Sequence, residues 1–282
     1  MNILKLLKEL FIRITGLDIV IRQDDKLIYM AATSLLHLKL SHEKYDNPKR
    51  LSKYGFKVHS QADEDGFIHE IYRRIGYRDK IFIEIGVSNG LECNTLFLLR
   101  QGWRGVWVDS DPDYCMEIRT RFNKELNSGD LVLKEIFINL ENTRSVFDES
   151  FDTQIIDLLS IDVDSNDYYL CQSLLKLCRP RVVVLEYNAT FPPPIEWEVE
   201  YFVDRRWNGT DHYGASLKSY ELMMRRSGYL LVGCNMSGVN AFFVRDDIFG
   251  EYFCSDTSAE FHYEPLRTWM TEAWRAEYKK ER

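Results

Sequence analysis

Residues 80–95, KIFIEIGVSNGLECNT, limit what this chain can fold into more than any other stretch. Ile81, Phe82, Ile83, Glu84 and Ile85 form a short, nearly all-apolar run, the pattern of a strand buried on both faces in a parallel sheet. Gly86 ends the run and Gly90 follows, with Val87, Ser88 and Asn89 between them. Glycine lets the backbone turn sharply and approach a ligand where a Cβ would clash. A helix predicted from about Leu91 would aim its free amides at the same spot. Strand, glycine turn and helix together make the geometry of a nucleotide-cofactor site.

A dinucleotide fingerprint needs G-x-G-x-x-G, whereas the spacing here is Glu84-x-Gly86-x-x-x-Gly90. The next apolar run (Gly105, Val106, Trp107, Val108) ends in Asp109, an acid suited to accept hydrogen bonds from both hydroxyls of a ribose. This pairing resembles motif I and the second-strand acid of the class I S-adenosylmethionine (SAM) methyltransferases. The resemblance implies a SAM site formed by Glu84, Gly86, Asn89, Gly90, Asn94, Asp109, Ser110 and Asn139. With Gly86 on the methionine path, a branched side chain there is expected to abolish binding. The same residues also fit a glycine turn in an unrelated α/β protein, with Asp109 as a helix cap.

The alternation continues along the chain. Helices are predicted over 91–101, 112–127, 167–178 and 215–227, and strands over 81–85, 105–109, 131–138, 157–163, 181–187, 229–234 and 240–245. Short apolar strands separated by helices imply right-handed crossovers and a parallel sheet. The last two strands, joined at Met236–Ser237–Gly238, read as an antiparallel hairpin at the sheet edge. The expected fold is therefore α/β: a Rossmann-like seven-stranded sheet of methyltransferase type, mostly parallel, with an antiparallel C-terminal hairpin. SQADEDGFIHEIYRRIG, from Ser60 to Gly76, reads as the capped helix leading into the first strand, with acids in its first turn. The division expected is an N-terminal helical extension over 1–59, a methyltransferase domain over 60–250 and a charged helical tail over 251–282 that gives no chemistry.

The bulk properties narrow the partners. An apolar content of 45% and a charged content of 28% are ordinary for a soluble globular chain of 282 residues. A formal net charge of −8 argues against nucleic acid, because no excess of Lys and Arg offsets phosphates. Six cysteines are scattered without a C-x-x-C pair, which fits a reducing, cytoplasmic setting. Residues 1–20 carry an apolar stripe (Ile3, Leu4, Leu6, Leu7, Leu10, Phe11, Ile14) opposite Lys5, Lys8, Glu9 and Arg13. Such a helix packs on its own domain, on a second subunit in a homo-oligomer, or on the inner face of a membrane as a peripheral contact.

Chemistry in open α/β sheets sits at the carboxyl ends of the strands. The fourth strand closes with LLSIDVDSNDYY and the fifth with VVVLEYNATFPPP, which brings Asp162, Asp164, Asp167, Glu186 and Asn188 to one rim. Carboxylates so placed repel one another unless a positive charge sits among them, and hard oxygen ligands suit Mg²⁺, Mn²⁺ or Ca²⁺. These residues resemble the ligands of metal-dependent catechol and caffeoyl-CoA O-methyltransferases. The resemblance implies Asp162, Glu186 and Asn188 as metal ligands, although Glu stands where that family has Asp and Tyr187 separates the strand-five pair. The family's lysine base is also missing, with Ser165 and Asn166 in that region. The other reading has Asp162 on the substrate, with Asp164 and Asp167 capping the next helix.

A longer resemblance, over about residues 60–247, is carried by SQADEDGFIHEIYRRIG, GWRGVWVDSDP, LLSIDVDSNDYY, RPRVVVLEYN, HYGAS and GVNAFFVRDD. It is to bacterial methyltransferases of surface-polysaccharide clusters, related to sugar O-methyltransferases of macrolide and capsule pathways. This implies O-methylation of a sugar or surface-glycan precursor; at the rim His212 or Asp164 is the candidate base for the hydroxyl, with Asp162 counted as catalytic through the metal or the substrate. Trp197, Tyr201, Phe202 and Trp207 are suited to line a sugar ring or to pack a lid. Two rival readings stand beside it. One is a non-catalytic SAM-binding scaffold; the other is an NAD-dependent sugar-modifying enzyme, which lacks its G-x-G-x-x-G and Y-x-x-x-K patterns here.

Overall fold

The apolar runs pair into one seven-stranded sheet: β1 Ile81–Ile85, β2 Arg104–Asp109, β3 Leu131–Glu135, β4 Ile156–Ile161, β5 Val182–Glu186, β6 Tyr229–Cys234 and β7 Asn240–Arg245. Their order is β3-β2-β1-β4-β5-β7-β6. All pairs from β3 to β5 are parallel, whereas β7 runs antiparallel between β5 and β6. This is the predicted arrangement, including the C-terminal hairpin. The computed structural model describes residues 17–148, 151 and 155–270, with side chains from Leu27 onward.

The chain divides into two compact units, Asn47–Arg267 and a second made of Met1–Asp46 with Thr268–Arg282. The second contains helix α1 Leu17–Leu40. Most of the predicted amphipathic segment, residues 1–16, lies outside the described residues, as does 271–282. Among the described residues, no helix is long and apolar enough to cross a membrane.

Within Asn47–Arg267, alternate strand residues feed two cores, one on each face of the sheet. One face buries Ile83, Ile85, Val108, Leu159, Ile161, Val183 and Leu185 against helices α6 Asp167–Leu174 and α7 Leu217–Arg226. The other buries Phe82, Trp107, Leu158, Val182, Val184, Phe242 and Val244 against α2 Glu64–Ile75, α3 Leu96–Arg100 and α4 Pro112–Arg121. The short helix α5 Asn123–Ser128 follows α4, after a break at Phe122 in what was predicted as one helix. Both faces being apolar explains why these strands read as continuous hydrophobic runs.

One sequence expectation here needs correction. The helix after the glycine turn begins at Leu96, not Leu91. The buried Glu84 carboxylate takes the amides of Asn94 (2.7 Å) and Thr95 (3.0 Å), so residues 91–95 form a braced loop instead of a first helical turn. The tail expected as helical over 251–282 is described only as far as residue 270; among the described residues beyond β7 are the turns α8 Asp246–Phe249 and α9 Ala259–His262 and a helical stretch at 268–270. The tail buries the ion pair Arg267–Glu264 (2.7 Å), and Arg267 donates to the carbonyl of Met236 in the β6–β7 turn.

Gly86 sets the spacing of the two central strand ends. Its φ is +85°, and a Cβ placed there would stand 1.6 Å from the carbonyl oxygen of Asp162. Gly102 has a similar φ of +78° with nothing within 4 Å of such a Cβ. Both Gly→Ala variants carry the left-handed backbone penalty of about 1–2 kcal/mol, but only Gly86→Ala adds a backbone collision, for a total loss of about 2–5 kcal/mol. Denaturant unfolding of the two variants measures the difference. Equal losses would show that the Gly86–Asp162 approach is not a packing constraint.

Candidate functional site

The carboxyl ends of β1, β2, β4 and β5 meet at one rim. Gly86 donates its amide to the carbonyl of Val108 (2.9 Å), and Asp162 donates to that of Ile85 (2.9 Å), so the glycine turn is stitched to both neighbouring strands. Ser88, also at positive φ (+50°), donates its amide to Asp109 Oδ2 at 2.7 Å. Asp109 Oδ1 accepts the amide of Asp111 at 2.9 Å. Burial pushes the Asp109 carboxyl up, and the amides of Asp111, Ser88 and Ser110 pull it back. Each carboxylate oxygen keeps a lone pair beyond these bonds. The cap of α4 is Asp111, not Asp109: Asp111 Oδ1 accepts from the amides of Asp113 and Tyr114.

Not every residue expected around the cofactor faces outward. Glu84 is 2% exposed. Besides the two loop amides it accepts the Thr95 hydroxyl at 2.5 Å, and Thr95 Oγ1 in turn accepts Trp107 Nε1 at 2.7 Å. Asn94 is buried and donates to Ser160 Oγ (3.1 Å). Both residues therefore brace the loop from beneath. Gly90 is needed for packing, since a Cβ there would meet the Trp107 ring at 2.6 Å. Gly86 likewise excludes a side chain first because of Asp162, which replaces the expected clash with bound methionine as the nearest obstacle. Asn89 is half-buried, accepting from Leu91 N and donating to Glu117. Ser110 is half-buried beside Asp109, and Asn139 sits in the turn after β3, its Oδ1 accepting Glu141 N. The amide of Ile136 donates to the carbonyl of Asp109 (2.9 Å), which ties that turn to the same rim.

The second half of the site is acidic. Carboxylate oxygens of Asp162, Asp164 and Glu186 all lie within 4.8 Å of one another. Asp162 and Glu186 are half-buried, and Asp164 is exposed at a positive φ of +54°. Glu186 Oε2 is buried without a hydrogen-bond partner among the described residues. Burial, then the charges of the neighbouring acids, hold the Asp162 and Glu186 carboxyls well above the usual carboxylate range. A proton or a cation must therefore sit among them.

Asn188 is not in this group. Its side chain is spent on the loop above, with Nδ2 donating to the carbonyls of Asp211 (2.6 Å) and Tyr213 (3.1 Å) and Oδ1 accepting Thr190 N (3.1 Å). The structure puts Asp164 beside Asp162 and Glu186 where the sequence suggested Asn188. Asp167 does not cap the next helix as one reading had it: α6 follows Asn166 without a side-chain cap, and the two Asp167 oxygens accept the amides of Val163 (2.7 Å) and Ser165 (2.8 Å), shaping the loop that carries Asp164.

The loop held by Asn188 is fastened again where Gly214 N donates to Ser165 O (2.9 Å). Tyr213 is half-buried, and burial followed by the charges of Glu186, Asp164 and Asp162 pushes its phenol up. Sequence reasoning passed over it for its neighbour. The His212 side chain is 70% exposed, 3.6 Å from the exposed Asp211 carboxylate. Trp197 stacks on Phe191 (4.2 Å between ring centroids), and Tyr201 packs on Tyr169 (5.4 Å). These two rings pack the loop, whereas Phe202 and Trp207 are exposed.

A further group of acids was read only as first-turn charges. Asp63, Glu64 and Asp65 are all buried at the start of α2. Asp65 Oδ2 collects the amides of Val58, His59 and Ser60. Glu64 Oε1 accepts Asn235 (2.7 Å) and Asn240 (3.1 Å), and Asp63 Oδ2 accepts Met236 N (3.1 Å). Asp63 and Glu64 thus tie α2 to the β6–β7 turn, and Asp65 ties it to the turn at Val58–Ser60.

No protein-family model matches the chain, and no curated protein matches it. Several solved structures are similar over most of its length. An O-methyltransferase from Bacillus cereus in complex with S-adenosylhomocysteine (SAH) is 16% identical, with a TM-score of 0.43, covering 77% of this chain and 88% of its own. Magnesium protoporphyrin IX methyltransferase from Synechocystis PCC 6803 with bound SAM is 12% identical (TM-score 0.38; 76% and 97% covered). The CcbJ methyltransferase from Streptomyces caelestis is 11% identical (TM-score 0.41; 72% and 99% covered). Likenesses this distant leave the fold to strand order and register, and the activity to the residues themselves.

Burial, then the charge of Glu64, raises the Asp63 carboxyl to about 7. A carboxyl raised on folding binds more protons in the native than in the unfolded state, so its contribution to stability falls as pH rises from about 4 to about 7 and is level above that. Asp63→Asn removes this slope. Relative to wild type, the variant is expected to gain on the order of 3 kcal/mol between pH 4 and pH 8 in urea unfolding. An unchanged difference between the two proteins across that range would contradict the assignment.

Proposed function

We propose that the chain is a SAM-dependent O-methyltransferase acting on a hydroxyl of a sugar or glycan precursor, with a divalent cation on its acidic cluster. One observation supports this above the others. A glycine turn braced by Asp109 and an uncompensated group of three carboxylates lie on adjacent strand ends, joined at the Gly86–Asp162 approach.

The first half suits a nucleoside. Gly86, Ser88 and Gly90 shape the turn, Asp109 offers its remaining lone pairs to ribose hydroxyls, Ser110 follows it, and Asn139 lies in the turn that Ile136 ties to the same rim. SAM, when bound, supplies an electrophilic methyl group. The second half suits a hydroxyl acceptor. A divalent cation held by Asp162, Asp164 and Glu186 supplies Lewis acidity that lowers the pKa of such a hydroxyl. The carboxylates orient it, and the exposed Asp164 is the group placed to take its proton. Tyr213 and the loop fastened by Asn188 stand over the half-buried Asp162 and Glu186, and the exposed rings of Phe202, which carries Arg205 on its face, and Trp207 suit contact with a sugar ring. His212 is the alternative base, paired with Asp211 at 3.6 Å and outside the three-carboxylate group.

Calorimetry with SAH tests the cofactor half. Wild type is expected to bind, and Asp109→Ala to bind at least about tenfold more weakly, a loss of about 1.4 kcal/mol. No heat from wild type, or tight binding of NAD instead, would remove the reading. Methyl transfer to sugar hydroxyls, followed by mass spectrometry, tests the acidic half. EDTA is expected to suppress turnover and Mg²⁺ or Mn²⁺ to restore it, with His212→Ala close to wild type. Full turnover in excess EDTA would remove the cation, and loss of turnover in His212→Ala with SAH binding intact would shift the base to that residue.

A further inference from the structure

At the rim, the face that packs on α2 and α3 ends in a polar row. Glu84 in β1, Ser160 in β4, Glu186 in β5 and Asn240 in β7 each follow the alternation of the apolar residues beneath them. Two of the four have explicit partners for every buried oxygen, Glu84 through the loop at Asn94–Thr95 and Ser160 through Asn94. Glu186 Oε2 and Asn240 Oδ1 are the exceptions: both are buried without a hydrogen-bond partner among the described residues.

These two residues face each other. Glu186 pairs directly with Asn240 in the antiparallel register of β5 and β7, so their side chains leave the same face of the sheet with Cβ atoms about 5 Å apart. Asn240 is 3% exposed. Its amide has one orientation open to it, because Nδ2 donates to Glu64 Oε1 at 3.1 Å. Turning the amide over would set its oxygen against a fully buried carboxylate that already accepts Asn235. The Asn240 oxygen is thus held away from Glu64, beside an acid whose own oxygen lacks a donor. Two buried acceptors on directly paired residues, neither with a donor, are unfavourable until something positive reaches them.

We infer that Asn240 supplies an amide oxygen to the cation site of Asp162, Asp164 and Glu186, the part the sequence suggested for Asn188. This rests on the cation reading proposed above and adds to it a ligand from the hairpin. Four protein oxygens of this kind, three anionic and one neutral, are a hard donor set for Mg²⁺, Mn²⁺ or Ca²⁺ that leaves coordination positions for water or an acceptor. Glu64 then acts as a positioning residue, since its carboxylate fixes which end of the Asn240 amide faces the acids.

Mn²⁺ titration of the full chain by electron paramagnetic resonance, without SAM or acceptor, tests this directly. Wild type is expected to bind one Mn²⁺, and Asn240→Ala to bind it at least about tenfold more weakly while keeping the wild-type circular dichroism spectrum. Unchanged Mn²⁺ affinity in a folded Asn240→Ala overturns the inference and leaves the three-carboxylate site standing. No Mn²⁺ binding by wild type overturns both, and points to a shared proton between Asp162 and Glu186. Should Asn240→Ala fail to fold, wild-type crystals soaked in Mn²⁺ decide. An anomalous peak within about 2.6 Å of Asn240 Oδ1 supports the inference, and a peak on the carboxylates alone overturns it.

Discussion

The close approach of Gly86 to the Asp162 carbonyl is the constraint on which the site depends. Parallel strands hold their backbones about 4.8 Å apart, and a turn leaving β1 has to bend without lifting away from β4. At Gly86 the chain does so at φ +85° with no space for a side chain. That single position keeps the glycine turn level with the loop that carries Asp162 and Asp164. A nucleoside on one and a hydroxyl on the other would then lie against each other, which is the proximity that methyl transfer requires.

Around this joint the protein buries acids in two different states. Glu84, Asp65 and Glu64 are taken from water but surrounded by amides, so each works as a brace: Glu84 for the loop ahead of α3, Asp65 for the turn at Val58–Ser60, Glu64 for the hairpin. A buried carboxylate that accepts two or three N–H bonds recovers much of its lost hydration. The Asp162–Asp164–Glu186 group has no such shell, and one Glu186 oxygen has no donor at all among the described residues. Asp164 is moreover held in the left-handed region without being glycine. Uncompensated charge and backbone strain at the same few residues mark a place shaped by something other than stability.

Strand order, the hairpin and the rim acids were legible because each depends on local pattern. Apolar runs between helical segments dictate a buried parallel sheet, and an acid at the end of such a run falls at the carboxyl edge. What could not be read depends on register and loop direction. Asn240 is the first residue of β7, and only its pairing with Glu186 brings it to the acids. Asn188 stands two residues beyond Glu186, the acid that ends β5, yet its amide turns toward Asp211 and Tyr213. Tyr213 and His212 are neighbours with opposite fates, one toward the acids and one toward solvent, and no periodicity in a loop distinguishes them. Asp63 to Asp65 look like first-turn charges until the β6–β7 turn and Arg267 close over them.

The most direct measurement of the central claim is a crystal structure of the chain grown with SAH. The account requires the ribose hydroxyls on Asp109, the amino-acid portion over Gly86–Gly90, and the sulfur facing the Asp162–Asp164–Glu186 group. SAH bound away from this rim, or lying with its sulfur turned from the acids, would contradict it.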